Sequence, residues 1–210
     1  MKNFFVVDEM GEATVIEKKS RFIAKIIPIE TEEDAISRIE QLKKQYWDAR
    51  HNCYAYVLGD NNEHQRFSDD GEPQGTAGKP ILDVLLTKNI HNALILVTRY
   101  FGGTLLGTGG LIRAYTKSSV ESVAAAQLLS VCDGVKFDLQ VDYNSIGKIK
   151  YIMVQCGIVD VDEEYTSDVL LHITMKEQDF EKFKKQVDEA TSAQAVFSNI
   201  EKVDYREKVD

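Results

Sequence analysis

Apolar residues fall into two rhythms along this chain, changing near residue 134. From Phe22 to Ile29 they run almost without a break, which predicts a strand, and Pro28 marks an edge position or the strand's end. Thr31 followed by Asp34 resembles a capping box, with Asp in place of the usual Glu or Gln. It opens a helix whose apolar positions Ala35, Ile36, Ile39 and Leu42 recur at helical spacing. Asn52–Leu58 alternates as a second strand. Gly59–Lys79, rich in Asp, Asn, Glu and Gly, is expected to lack regular structure. Pro80–Thr87 begins a helix with Pro in its first turn. Leu94–Tyr100 reads as a strand covered on both faces. Gly110–Leu129 reads as a helix with Leu111, Ala114, Tyr115, Ser118 and Ser122 along one side, closed by VAAAQLL.

Beyond Asp133-Gly134, Val135–Val141 alternates as a strand and Ser145–Cys156 is helical. Gly157–Val161 and Val169–Met175 read as strands separated by the acidic turn DEEYTSD. Glu177–Ala190 is an amphipathic helix, and Gln194–Val203 a last strand. The order β-α-β-β-α-β is the ferredoxin-like split pattern. Two domains follow, 1–134 and 135–210, in an α+β chain.

The charge balance narrows the function classes. The net charge is −9, with −3 on residues 1–134 and −6 on 135–210, which argues against indiscriminate nucleic-acid binding. Residues 64–117 run the other way, with 6 basic against 4 acidic residues, so an anion site can sit there. Three unpaired cysteines, Cys53, Cys132 and Cys156, show no CxxC and read as reduced cytosolic thiols. Asp8, Glu9 and Glu12 interrupt any signal-peptide core, and no apolar run reaches the ~20 residues of a membrane span. The expected location is the cytoplasm, with no membrane partner.

Two segments carry candidate chemistry. In FSDDGEPQGTAGKP, the acids Asp69, Asp70 and Glu72 beside glycines suit either a Mg²⁺ site or a solvated turn with Asx hydrogen bonds. Long irregular loops inside compact domains are often functional. The second segment, RYFGGTLLGTGGLIRAY, has five glycines between a strand and a helix, with Arg99 and Arg113 at its ends. Such a loop presents free N–H groups to an anion, or lets strand and helix pack closely. It is not a P-loop, because Thr108 stands where lysine is needed, and it lacks the last glycine of a dinucleotide fingerprint. No GxSxG elbow or HExxH spacing is present, the four histidines are scattered, and Cys53 reads as a core thiol. Tyr46 and Trp47 suit either a base-stacking role or the aromatic core.

Together, SDDGEPQGTAGKPIL (68–82) and RYFGGTLLGTGGLIRAY (99–115) closely resemble the two signature segments of the IMPACT family, in its bacterial, two-domain YigZ-type branch. The resemblance implies an N-terminal domain similar to the domain-2-like β-α-β fold of a small-subunit ribosomal protein, with a left-handed crossover. It also implies a ferredoxin-like C-terminal domain similar to the last domain of elongation factor G. Eukaryotic relatives act as translational regulators by binding a general-control activator protein, and no enzyme activity is established for the family. The expected function is thus a non-enzymatic cytosolic regulator linked to translation, whose partner is the ribosome, RNA or a translation-associated protein, with no cofactor. Its expected binding surface joins Arg66, Asp69, Asp70, Gly71, Glu72, Gly75, Thr76, Gly78 and Lys79 to Arg99, Tyr100, Phe101, Gly102, Gly103, Gly107, Thr108, Gly109, Gly110 and Arg113. The rival is a nucleotide- or phosphate-binding enzyme using Mg²⁺ on the acidic loop.

Overall fold

A computed structural model describes residues 2–158 and 161–209. The chain divides into two compact units. One comprises Phe4–Ser130 with the last residues from Lys208, and the other Val131–Glu207 with the residues before Phe4.

The first unit is built on an antiparallel sheet in the order β2-β3-β6-β4-β5, from β2 (Gly11–Glu17), β3 (Ser20–Pro28), β4 (His51–Leu58), β5 (His64–Ser68) and β6 (Ala93–Tyr100). β3 and β4 both run antiparallel to β6, so they are parallel to each other with β6 between them. Helix α1 (Glu32–Gln45) makes that crossover. Its N-terminus is fixed where the sequence expects it, the Asp34 amide donating to the Thr31 hydroxyl at 3.1 Å. One sheet face packs Ile27, Tyr56, Leu94 and Leu96 against Ala35, Ile39 and Leu42 of α1. The other packs Phe22, Cys53, Ile95 and Val97 against α2 (Gly78–Thr87) and α3 (Gly107–Ala124). β6 is therefore buried on both faces, as its apolar run requires.

Several sequence expectations differ from the structure. Of the two readings of Pro28, the strand's end holds: β3 stops there and lies inside the sheet. The polar stretch 59–79 contains β5, an edge strand whose side chains are largely exposed; ladder bonds to β4 create it, without any apolar alternation. Before β3 the chain forms β1 (Asn3–Glu9) and β2, where a glycine fills one of the two buried positions. Helix α3 begins at Gly107 and stops at Ala124, and the expected helical end Gln127-Leu128-Leu129 opens β7 (Gln127–Val141), sheet pairing overriding helix propensity. β7 then runs unbroken through Asp133-Gly134.

In the second unit, α4 (Ile146–Gln155) and α5 (Glu177–Thr191) pack against β7, β8 (Asp162–Tyr165), β9 (Val169–Lys176) and β10 (Val196–Lys208). β10 pairs with β7, β7 with β9, and β9 with β8, which is the ferredoxin-like strand order. The expected acidic turn DEEY is itself the edge strand β8, in register with Val169–His172. The strand expected at Gly157–Val161 includes residues 159 and 160, outside the described ones; Gly157 and Ile158 are not in a strand. No helix among the described residues is long and apolar enough to cross a membrane.

Candidate functional site

Strand register brings the two signature segments together at one end of the first sheet. Phe22 and His51 flank Arg99 on neighbouring strands, at the start of β4 and the end of β6; loop 69–77 leaves the end of β5 beside them, and loop 101–106 the end of β6. Within that frame each acid of the first loop has a separate structural task.

The Asp69 carboxylate accepts from the backbone N–H groups of Gly75 (2.8 Å), Ala77 (3.0 Å) and Gly78 (2.8 Å). It thereby caps α2 from outside the helix, since Ala77 at the N-cap has no side chain to do so. Gly78 is required there, because an added Cβ would stand 2.8 Å from the Ser68 backbone. Asp70, itself at φ +41°, accepts from Lys43 Nζ at 2.6 Å and from the Asn52 N–H at 2.7 Å. Glu72 is 8% exposed and takes both Arg99 Nη1 (2.6 Å) and the Tyr115 hydroxyl (2.8 Å) on one oxygen. Thr76 is buried and its hydroxyl donates to the Pro73 carbonyl at 2.6 Å. Gly71 and Gly75 take positive φ in this loop.

The three carboxylates thus point at different partners and do not converge, and the described residues contain no group of three His, Cys, Asp or Glu placed to hold a metal. The rival reading, with Mg²⁺ on Asp69, Asp70 and Glu72, loses its donor set. The reason is physical: backbone donors, a lysine and a buried arginine already satisfy these oxygens.

Arg99 turns inward and is 6% exposed, its guanidinium 5.4 Å from the Phe22 ring and 5.7 Å from that of Phe101. Its Nε has no hydrogen-bond partner among the described residues. Three residues around it were not expected from the sequence. His51 Nδ1 lies 2.9 Å from the Asp70 carbonyl, an acceptor only, so Nδ1 carries the proton and Nε2 faces Glu72 at 4.0 Å. Tyr115 and Cys53 complete the cluster, the thiol 3.0 Å from the Asp69 carbonyl and 3.3 Å from the Tyr115 hydroxyl. Burial pushes both their pKa values upward, so neither is a nucleophile or base at neutral pH. Their signal in the sequence is faint: Tyr115 shows as one position of the buried side of α3 and as the last residue of the second segment.

The second segment is more open. An added Cβ on Gly102 would collide with the Lys19 carbonyl group, and the Gly102 N–H donates to the Ser20 hydroxyl at 3.1 Å. The loop is thus seated on the β2–β3 hairpin. Gly103 and Gly107 need glycine for positive φ, with open space around them. Thr108, Gly109 and Gly110 form the first turn of α3, which has no side-chain cap and no acid. Phe101 is 44% exposed, and Tyr100 donates from its hydroxyl to Asp48 at 2.8 Å.

Among the expected cations, Arg66 pairs with Glu32 at 2.8 Å, Lys79 with Asp83, and Arg99 with Glu72. Arg113 is exposed and has no ion pair among the described residues. Lys18, Lys19, Arg21 and Arg50, at the same end of the sheet, are likewise exposed and unpaired among them. This end of an acidic protein therefore presents free cations, while Asp70 and Glu72 are paired internally with Lys43 and Arg99.

Residues 18–123 match the Impact N-terminal domain, and residues 139–194 match DUF1949, a domain of unknown function. The chain is 36% identical over 200 residues to IMPACT family member YvyE of Bacillus subtilis (strain 168), covering 93% of this chain and 90% of that one. It is 36% identical over 166 residues to IMPACT family member YigZ of Escherichia coli (strain K12), covering 77% and 81% respectively. A crystal structure of a hypothetical protein superimposes with a TM-score of 0.60 at 31% identity, over 96% of this chain and 98% of that one. With both signature loops, both domain matches and relatives aligned along nearly its whole length, this chain belongs to the IMPACT family.

Proposed function

We propose that this protein is a non-catalytic regulator of translation that docks on the ribosome through the loop-bearing end of its first unit. The link to translation comes from the family resemblance of the signature segments at 68–82 and 99–115. The placement rests on one observation: the acids of loop 69–77 are bound internally, while Arg113 stands free beside the glycine turn of α3. A surface of that kind attracts phosphate despite a net charge of −9, because the local field and not the total charge meets the partner.

Catalysis has little to work with here. The buried Cys53–Tyr115–Glu72–Arg99 cluster is hydrogen-bonded within itself, and its thiol and phenol are held protonated. The test is co-sedimentation of the full chain with ribosomes from its own cells across a salt series. Sedimentation at low salt, weakened by salt and by Arg113→Ala, is the expected result. Absence of sedimentation at low salt would overturn the proposal.

A further inference from the structure

The β2–β3 hairpin turns through two lysines. Glu17 pairs with Ser20, and between them Lys18 and Lys19 both take positive φ, +44° and +68°. A two-residue turn with both φ values positive favours Asn-Gly, since only small or locally hydrogen-bonding residues enter that region easily. Here it is occupied by two long cations, both exposed and neither in an ion pair among the described residues. Strain of this kind persists where surrounding structure holds it, and it gathers at functional sites. The holding structure is visible: the Lys19 carbonyl lies against Gly102, where no Cβ fits.

A stacking platform lies next to this turn. The Arg21 guanidinium sits 4.6 Å from the centroid of the Tyr100 ring, which leaves its N–H edges open to an acceptor. Tyr100 is tied through its hydroxyl to Asp48, and the preceding residue, Trp47, is 83% exposed. It is the chain's single tryptophan, and the structure puts it in solvent, not in the aromatic core. Glu17 and Asp48 are the acids at this spot, and Asp48 is engaged by Tyr100.

We infer that this patch binds an unpaired segment of RNA, its phosphates on Lys18, Lys19 and Arg21 and a base stacked on Trp47. Cations give affinity for any phosphate chain, but an exposed indole stacks only on a base that is free of a duplex. The inference rests on the ribosome-docking reading and names the contact within it.

The experiment uses the full chain and a fluorescein-labelled 12-nucleotide RNA of mixed sequence, single-stranded or annealed to its complement. Anisotropy reads affinity, and Trp47 emission, with unlabelled RNA, reads stacking. The single strand is expected to bind at least tenfold tighter than the duplex and to quench Trp47. Lys18→Asn with Lys19→Gly keeps a turn the backbone favours, so its fold is retained while two phosphate contacts are removed. That variant is expected to bind at least tenfold more weakly at low salt, with a salt slope smaller by about 1.4. Trp47→Leu is expected to weaken binding roughly fivefold or more. Equal binding of duplex and single strand, no change in Trp47 emission, or full binding by the hairpin variant overturns the inference. Ribosome sedimentation by the parent without RNA binding overturns this inference alone; failure of the parent to sediment overturns the docking reading.

Discussion

Arg99 Nη1 meets Glu72 Oε1 at 2.6 Å with both side chains almost out of water, at 7% and 3% exposure. The pair joins the two signature segments, since Glu72 belongs to the first and Arg99 opens the second. Removing either partner leaves the other charge buried and alone, and breaking such a pair costs about 3–5 kcal/mol. Arg99→Ala and Glu72→Ala are each expected to lower stability by that order in urea unfolding. Arg99→Met combined with Glu72→Leu and Tyr115→Phe, which also removes the hydroxyl left without an acceptor, is expected to cost less than the two alanine changes summed. Additive losses would show that the pair is not coupled.

Gly102 and Gly103 are neighbours with different requirements. At Gly102 a side chain meets the Lys19 backbone, whereas Gly103 has open space and needs glycine only for its φ of +84°. Gly102→Ala is expected to destabilise by about 1–3 kcal/mol through overpacking, and to perturb the hairpin. Gly103→Ala should cost about 1 kcal/mol, the penalty of the left-handed region. Thermal unfolding of the two variants ranks them, and a larger loss for Gly103→Ala would contradict the close approach.

Asp69 holds the start of α2 by accepting three backbone N–H groups. Asp69→Ala is expected to cost about 2 kcal/mol, the range for losing a cap and leaving donors unpaired. Asp83→Asn, at an exposed pair with Lys79, is expected to stay within about 0.5 kcal/mol. Hydrogen exchange at Ala77 and Gly78 locates the effect: faster exchange in Asp69→Ala alone is the expected outcome.

Two histidines give opposite pH dependence. His91 stacks on Phe4 at 4.3 Å, and burial holds its pKa below the ordinary 6.5. Below pH 6.5 the unfolded chain takes a proton that the folded one refuses, so stability falls with pH through that window. His172 donates to Asp138 at 2.6 Å, and this bond raises its pKa above 6.5. Its contribution is complete below pH 6.5 and lost as pH rises through the folded-state value. His172→Gln should therefore lower the melting temperature more at pH 5.5 than at pH 8.5, and His91→Gln should flatten the loss below pH 6.5. A His172→Gln effect independent of pH would count against the ion pair.

The cap at Thr31, the apolar run of β6, the buried stripe of α3 and the elements β9 and α5 were legible in the sequence by itself. Each depends on local periodicity or on a capping group three residues away. The two signature segments were legible likewise, because their glycines and charges are consecutive in the chain. What those charges do was decided by tertiary structure. Asp69, Asp70 and Glu72 look like one acidic cluster on paper, yet the fold gives them to a helix start, to Lys43 and to a buried arginine. Strands β5 and β8 exist through ladder bonds to β4 and β9, with almost no apolar pattern of their own. Lys18, Lys19 and Trp47 carry no motif. Only the fold shows that Gly102 lies on the Lys19 backbone and that Trp47 is exposed, because burial and close approach are properties of residues far apart in sequence.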